Sequence, residues 1–122
     1  MKLLDSLYTI NSEEVADNHH SFAIELNAEH FIYKAHFPGE PITPGVCIMQ
    51  IAHELLERHC GCSLDVECVK NVKFLRVITP IETPRVNYIF QKITIEEREV
   101  KCQVEVSAEG DTYAKLSIVC RK

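Results

Sequence analysis

The segment HFPGEPITPGVCIMQIAHE, residues 36–54, places a histidine a few residues before an apolar stretch. Imidazole is the side chain best suited to moving protons near neutral pH. The prolines of the loop would hold it rigidly, and the glycines allow close approach of the backbone. Gly45 lies where a helix should begin, so its N–H group lacks an intrahelical acceptor and can polarise a carbonyl oxygen. These residue types predict a site that removes a proton beside a thioester or similar carbonyl. The spacing also fits a loop histidine, His36, that only bonds to backbone.

Gln50 is the second unusual residue, because it interrupts the apolar run VCIMQIA. A buried amide needs a hydrogen-bond partner, since burial without one costs free energy. Glu54 follows at i+4, on the same helix face and about 6 Å along the axis. Glu54 fits either a functional acid or a solvated acid on a helix face that emerges into water. The neighbouring His53 favours a structural role near the sheet.

The helix that carries these residues has clear boundary signals. Thr43 is predicted as N-cap, with Pro44 at the first helical position, and Gly61 is predicted to end the helix. Residues 46–52 are apolar almost all round, which predicts burial on every side.

Strand patterns lie on both sides of this helix. We predict strands at SFAIELN (residues 21–27) and at residues 30–37 before it. After it, LDVECVKNVKFLRV predicts a long strand with a bulge, and residues 85–95, 100–108 and 112–120 predict three more strands joined by short turns. One apolar helix with an antiparallel meander indicates an α+β fold, in which a curved sheet wraps around one long central helix. Such a sheet leaves its edges uncovered, so we expect a homodimer or larger assembly.

Composition narrows the function classes. The 122 residues suit a single domain, 1–122, and the net charge of −5 disfavours nucleic-acid binding. No run approaches the roughly 20 apolar residues of a transmembrane helix, so we expect a cytoplasmic protein without membrane insertion. The six cysteines are then expected to be reduced thiols. His59, Cys60 and Cys62 form an H-C-x-C cluster without the second ligand pair that zinc requires, so no metal site is predicted.

The segment at residues 36–54 resembles the signature of the 3-hydroxyacyl-(acyl carrier protein) dehydratases of fatty acid biosynthesis, which are hotdog-fold enzymes. VKNVKFLRVITPIE, residues 69–82, is similar to the second conserved block of that family. The likeness is strong over about residues 30–95. It implies a hotdog fold and a hydro-lyase activity that eliminates water from a 3-hydroxyacyl thioester in fatty acid or related lipid biosynthesis. No cofactor is implied, because this elimination needs none.

The resemblance also implies roles for individual residues. His36 matches the catalytic histidine that takes the C2 proton, and Gly45 matches the residue whose N–H holds the thioester carbonyl. Phe37 and Pro44 fall in the substrate-binding part of the signature. Gln50 matches an acidic residue that assists loss of the 3-hydroxyl group and that the neighbouring subunit of the dimer supplies.

The acid and the amide are exchanged relative to that family, because Gln50 stands at the acid position and Glu54 at that of a glutamine. An amide cannot release a proton at neutral pH. Three interpretations remain open for the site. Gln50 only orients the hydroxyl while His36 makes both proton transfers, or Glu54 supplies the acid, or the site is degenerate and binds acyl thioesters as a partner subunit. An acyl thioesterase in which Glu54 activates water is a further alternative.

The implied partners are an acyl carrier protein or a coenzyme A thioester. Both are anionic and favour a basic patch, for which the candidates are Lys70, Lys73, Arg76 and Arg85. The expected assemblies are a homodimer, a trimer of dimers, or a heterodimer with an active hotdog subunit.

Overall fold

An antiparallel sheet and one long helix make up most of the protein. The computed structural model describes residues 2–16, 19–35 and 39–122. The strands of the described ranges are β1 (Tyr8–Ala16), β2 (His19–Leu26), β3 (Asp65–Phe74), β4 (Arg85–Ile95), β5 (Glu99–Ala108) and β6 (Asp111–Arg121). Neighbouring strands pair in the order β1-β2-β4-β5-β6-β3, so β1 and β3 form the two edges. The helices are α1 (Ile32–Ala35) and the sixteen-residue α2 (Gly45–Cys60).

Alternating apolar residues give the sheet one buried face, which packs against α2. In β5, residues 100, 102, 104, 106 and 108 are buried, and the residues between them are more exposed. The same alternation holds along β2 and most of β6. The helix contributes its own apolar stripe to this core, formed by Cys47, Ile48, Ile51, Ala52, Leu55 and Leu56. The predicted α+β class and the strands after the helix, including the bulged β3, are confirmed.

Two of the elements before α2 differ from prediction, whereas the strand predicted at residues 21–27 is confirmed as β2. The first strand is β1, and apart from Tyr8 and Ile10 its residues are exposed, so it carries no alternating apolar pattern. Within residues 30–37, which were expected to be extended, residues 32–35 form the short helix α1. Tyr33 explains this turn, because its buried side chain reaches the core and its hydroxyl lies 2.9 Å from Oγ1 of Thr43.

The ends of α2 agree with the sequence in part. Gly61 ends the helix as predicted, with a left-handed φ of 71° and an N–H that donates to the carbonyl of Glu57. Thr43 is not the N-cap, because its hydroxyl is bonded to Tyr33. Pro44 holds that position instead, with extended backbone, and no described side chain caps this end of the helix.

The edge strand β3 and the start of α2 share an open surface. Val69 is partly buried, and the other residues of β3 are exposed. Val46 is 64% exposed, so burial on every side of residues 46–52 is wrong at this residue. Phe74 at the end of β3 is 50% exposed. An edge strand and exposed apolar side chains form the kind of surface that another chain covers. Among the helices of the described ranges, none is both long enough and apolar enough to span a bilayer.

Candidate active site

The first turn of α2 lines an apolar groove of about 350 Å³. The turn is regular, since the carbonyl of Pro44 accepts hydrogen bonds from the N–H groups of Cys47 and Ile48 at 3.0 and 3.1 Å. The groove is lined by Ile42, Thr43, Gly45, Ile48, Phe74, Leu75, Arg76, Val77 and Ile78. Its walls are mainly hydrocarbon, and they include the N-terminus of a helix, which is the positive pole of the helix dipole. This combination suits an acyl chain that ends in a polarised carbonyl.

Phe74 covers the backbone of Gly45 in the wall of this groove. A Cβ built on Gly45 would lie 2.8 Å from Cζ and 3.0 Å from Cε2 of Phe74. Only glycine therefore leaves the ring in this position, and the close approach explains the residue type at the helix start. A second depression of about 530 Å³ continues from the groove and shares Ile42 and Val77 with it.

Glu54 lies in a different environment, facing the N-terminal segment. Its side chain is buried, with 7% of the residue exposed, so the expectation of a solvated acid is wrong. Oε2 accepts hydrogen bonds from the N–H of Leu3 at 2.7 Å and from Nε2 of Gln50 at 2.9 Å. Oε1 accepts from the N–H of Leu4 at 2.9 Å and from the hydroxyl of Tyr8 at 3.0 Å.

These four donors match the roughly four lone-pair positions of a carboxylate. Burial, with the charge of Glu54 and the hydrogen bond to it, raises the pKa of Tyr8. The phenol therefore keeps its proton and donates a hydrogen bond to Glu54. Glu54 can approach a water molecule or a substrate only by giving up one of these bonds. Its geometry suits a structural anchor better than a proton donor.

Gly45 and Gln50 point toward different parts of the molecule. The two residues are roughly 140° apart around the axis of α2, because each residue turns the helix by about 100°. Gly45 contacts Phe74, the last residue of the edge strand β3. Gln50 bonds to Glu54, which is held by the segment that leads into the opposite edge strand, β1. One chain therefore does not place both residues at one groove.

The other predicted site residues fall in three groups. His36 and Phe37 lie outside the described residues. Pro44 is at the helix start, where its carbonyl supports the first turn. His53 has the structural role that the sequence favours, because its Nε2 lies 2.7 Å from the carbonyl of Leu64.

The predicted basic patch is spread over two parts of the sheet. Lys70 and Lys73 lie on β3, and Arg76 follows it and lines the groove. Arg76 lies 3.7 Å from Asp111, and Arg85 at the start of β4 lies 3.7 Å from Glu25. Two of the four cations therefore already have acidic neighbours, and Arg76 is the one beside the groove.

Two features of the site region were missed from the sequence. Phe74 lies inside the segment 69–82, but no spacing rule indicated that its ring would cover Gly45. The donors to Glu54 come from Leu3, Leu4 and Tyr8, which are 46 to 51 residues away along the chain. The only sequence signal for these donors was the acidic residue Glu54 within an otherwise apolar helix face.

Comparison with known proteins places this chain in a family. A family model described as ApeI dehydratase matches residues 12–116. The chain belongs to the ApeI-like family. Two curated relatives of this ApeI-like chain are 3-hydroxyacyl-[acyl-carrier-protein] dehydratases named FabZ. The protein from Lactobacillus helveticus is 27% identical over 79% of this chain and 68% of its own length. The protein from Wolbachia pipientis wMel is 29% identical over 79% and 71% of the two chains.

Solved structures show that the ApeI-like chain has the hotdog fold, as predicted. The dehydratase heterocomplex ApeI:P from Xenorhabdus doucetiae superposes with a TM-score of 0.67 at 16% identity, over 93% of this chain and 96% of the other. A mutant thioesterase from Pseudomonas aeruginosa also gives 0.67, at 12% identity, over 93% and 79% of the two chains. The resemblance to the dehydratases is confirmed by the family match and by both FabZ relatives.

Proposed function

We propose that this ApeI-like chain is a hydro-lyase that eliminates water from a 3-hydroxyacyl thioester of lipid biosynthesis, carried by an acyl carrier protein or by coenzyme A. The observation that carries the proposal is the apolar groove lined by Gly45 and by the ring of Phe74, which lies over the glycine. An acyl chain in the groove would bring its thioester carbonyl to the N–H groups of the first helical turn. These groups would stabilise the negative charge that develops on the carbonyl oxygen.

The elimination needs one base and a route for one proton. His36 would take the proton from C2, and the electrons of that C–H bond would form the C2–C3 double bond as the C3–O bond breaks. The departing hydroxyl group would receive the proton from the imidazolium and leave as water, so the histidine returns to its neutral form. In this scheme Gln50 orients the hydroxyl group and transfers no proton.

The site would be completed by two chains. Gly45 and Gln50 of one chain face toward opposite edges of the sheet, so a groove needs the Gln50 of a partner. The exposed strand β3, with Val46 and Phe74 beside it, offers the surface for this pairing. A second copy of this chain is the proposed partner.

The first experiment measures hydration of a crotonyl thioester and dehydration of a 3-hydroxyacyl thioester, on both carriers. We expect turnover by the wild-type protein and loss of about 10²–10⁴-fold in His36→Ala, as for removal of a general base. His19→Ala, which removes an exposed histidine of β2, is the matched control and should keep full activity. Absence of turnover with short, medium and long acyl chains on either carrier would contradict the proposal.

A mixing experiment tests whether the site is shared. An inactive His36→Ala chain is exchanged with an inactive Gln50→Ala chain. If the two residues act across the dimer, half of the dimers are mixed and each has one intact site, so about a quarter of the wild-type activity returns. If both residues act within one chain, no mixed dimer has an intact site and no activity returns.

A second candidate is a binding subunit that works beside an active hotdog chain. The amide at residue 50 favours it, because a dehydratase site without an acid lacks one proton donor. The dehydratase heterocomplex of Xenorhabdus doucetiae has this fold. This candidate predicts that Gln50→Glu increases turnover, or that turnover requires a second hotdog chain. A fully active homodimer would exclude it.

A further inference from the structure

We propose that the N-terminal segment, residues 2–8, fixes the orientation of the Gln50 amide through Glu54 and so makes Gln50 a hydrogen-bond acceptor for the 3-hydroxyl group of the substrate. This inference rests on the proposed function and adds a positioning residue to it. Glu54 contacts no substrate in this scheme. It acts on the site only through the side chain of Gln50.

The polarity of the Gln50 amide follows from the chemistry of its neighbour. An ionised carboxylate only accepts hydrogen bonds, so the amide must turn its NH₂ group toward Glu54. Nε2 of Gln50 lies 2.9 Å from Oε2 of Glu54. The amide group is planar, with oxygen and nitrogen on diverging branches, so Oε1 is directed away from Glu54. An amide oxygen presented in this way accepts a hydrogen bond from a hydroxyl group and cannot donate one.

This orientation has a consequence for the elimination. A 3-hydroxyl group that donates its hydrogen to Oε1 turns its lone pairs toward the opposite side. The leaving oxygen is then ready to receive the proton that His36 has taken from C2. An amide in the reversed orientation would donate to the hydroxyl oxygen and compete with that proton transfer.

The N-terminal segment supplies three of the four donors that hold Glu54. They are the N–H groups of Leu3 and Leu4 and the hydroxyl of Tyr8. The segment itself is firmly docked, since Leu3 and Leu7 are 3% and 0% exposed. Its turn is closed by hydrogen bonds from the N–H groups of residues 6 and 7 to the carbonyl of Leu3.

Without these donors, the carboxylate of Glu54 could form other hydrogen bonds or ion pairs. A depression of about 370 Å³ lies beside Glu54, and its lining includes the cation of Arg58. Arg58 is 50% exposed at its side chain and pairs with Glu13 at 3.2 Å. A carboxylate released by the segment can turn toward this cation, and the amide of Gln50 then loses its hydrogen bond to Glu54.

Tyr8→Phe tests the coupling with little change in volume, and Tyr88→Phe is the matched control. Both phenols are 1% exposed, and the hydroxyl of Tyr88 also bonds to α2, at the carbonyl of Ile48, 3.0 Å away. Each variant therefore loses one buried hydrogen bond to the helix, but only Tyr8→Phe removes a donor from Glu54. Similar losses of thermal stability are expected for the two.

The first readout does not require turnover. Exchange of the side-chain NH₂ protons of Gln50 is followed by NMR, with the exposed Gln103 as internal reference. We expect Gln50 to exchange at least about tenfold more slowly than Gln103 in the wild type and in Tyr88→Phe, and this protection to fall in Tyr8→Phe. A stronger variant lacks residues 2–4 and should lose more of this protection than Tyr8→Phe does. Equal protection in Tyr8→Phe and Tyr88→Phe would overturn the coupling.

The second readout is catalysis. We expect kcat of Tyr8→Phe to fall roughly threefold to tenfold below that of Tyr88→Phe, with KM nearly unchanged, because the orientation matters as the C–O bond breaks. Equal kcat values would overturn the positioning role. If the wild type turns over nothing, the proposed function fails. The positioning role of Glu54 is then tested by the relative affinity for 3-hydroxyacyl and unsubstituted acyl thioesters. This ratio should change in Tyr8→Phe and not in Tyr88→Phe.

Discussion

The ring of Phe74 covers Gly45 so closely that a methyl group on the glycine would lie 2.8 Å from Cζ. The contact joins the end of the edge strand β3 to the first turn of α2. The ring is half exposed, so it can swing away without disturbing the core. The space over the helix start is therefore available to a ligand that displaces the ring.

Gly45→Ala should lower catalytic activity while leaving the free energy of unfolding nearly unchanged. Alanine favours the helix by about 1 kcal/mol and the displaced ring is flexible, so the free energy of unfolding should change by no more than about 1 kcal/mol. The methyl group would occupy the position proposed for the carbonyl, so kcat/KM should fall at least about tenfold. Chemical denaturation and steady-state kinetics measure the two effects.

The double variant Gly45→Ala/Phe74→Leu is the control for this prediction. Leucine removes the ring atoms that the methyl group would meet. Activity that stays low in the double variant places the effect at the carbonyl position. Recovery of activity would show that the displaced ring caused the loss.

Gln50→Glu should destabilise the protein in a manner that depends on pH. The new carboxylate would face Oε2 of Glu54, where the amide nitrogen now lies 2.9 Å away. Repulsion should lower the free energy of unfolding by about 1–3 kcal/mol at neutral pH. The folded pair binds a proton more tightly than the unfolded chain does, so the deficit should shrink as the pH falls toward about 4.

Gln50→Met provides the comparison, because it removes the amide without adding a charge. Its loss of stability should not vary with pH over the same range. Urea denaturation at several pH values distinguishes the two variants. A deficit in Gln50→Glu that is the same at pH 4 and pH 7 would show that the two carboxylates do not meet.

Stability of the wild-type protein should decrease as the pH falls below about 6.5. Nδ1 of His20 lies 2.5 Å from Nδ1 of His59, and Nε2 of His20 lies 2.9 Å from Oε2 of Glu13. Burial and the neighbouring His20 lower the pKa of His59, so the unfolded chain binds a proton there more readily than the folded one. The hydrogen bond from His20 lowers the pKa of Glu13, whose contribution is present above its ordinary pKa and lost below it.

Both groups therefore act in the same direction on acidification, His59 first and Glu13 at lower pH. The cluster also contains Arg58, which lies 3.2 Å from Oε1 of Glu13 and stays charged throughout. Thermal melts between pH 8 and pH 4 measure the effect. His59→Gln should flatten the part of the curve near pH 6, and the exposed His19→Gln should not. Identical curves for the two variants would contradict this assignment.

Cys68 should report on the proposed pairing of β3. Cys62 and Cys68 are both exposed in the single chain. Burial, together with neighbouring groups, raises the pKa of Cys102 to about 12 and that of Cys120 to about 11, so these thiols should stay unreactive until the protein unfolds. If β3 pairs with a second copy, alkylation of Cys68 should slow as the protein concentration rises, while Cys62 reacts at a constant rate. Mass spectrometry of the labelled peptides measures both rates, and parallel behaviour would exclude β3 from the interface.

Local patterns predicted the parts of the fold that have one buried face. The strands β4, β5 and β6 alternate in burial as they alternate in sequence, and Gly61 ends α2 because it adopts a left-handed conformation. The strand β1 was missed because it is an edge strand whose exposed residues carry no apolar period. Thr43 was assigned to the helix cap because a local rule cannot include the hydroxyl of Tyr33.

Site features that depend on neighbouring residues in the chain could be predicted from the sequence. Features that depend on contacts between distant segments could not. Gly45 at the helix start follows from adjacent residues. The burial of Glu54 does not, because its donors lie near the start of the chain. The opposed directions of Gly45 and Gln50 also required the fold, since they depend on which edge of the sheet each helix face approaches.

The bond between Gln50 and Glu54 also constrains how such a pair can change during evolution. Reversing the order of acid and amide requires two substitutions. The intermediate with two acids brings like charges together, and the intermediate with two amides leaves the N–H groups of Leu3 and Leu4 facing a weaker acceptor. Each intermediate is expected to be less stable than either end state, so the exchange is expected to pass through a stabilised background or through paired mutations. Related proteins should therefore keep either an amide at position 50 with an acid at position 54, or the reverse.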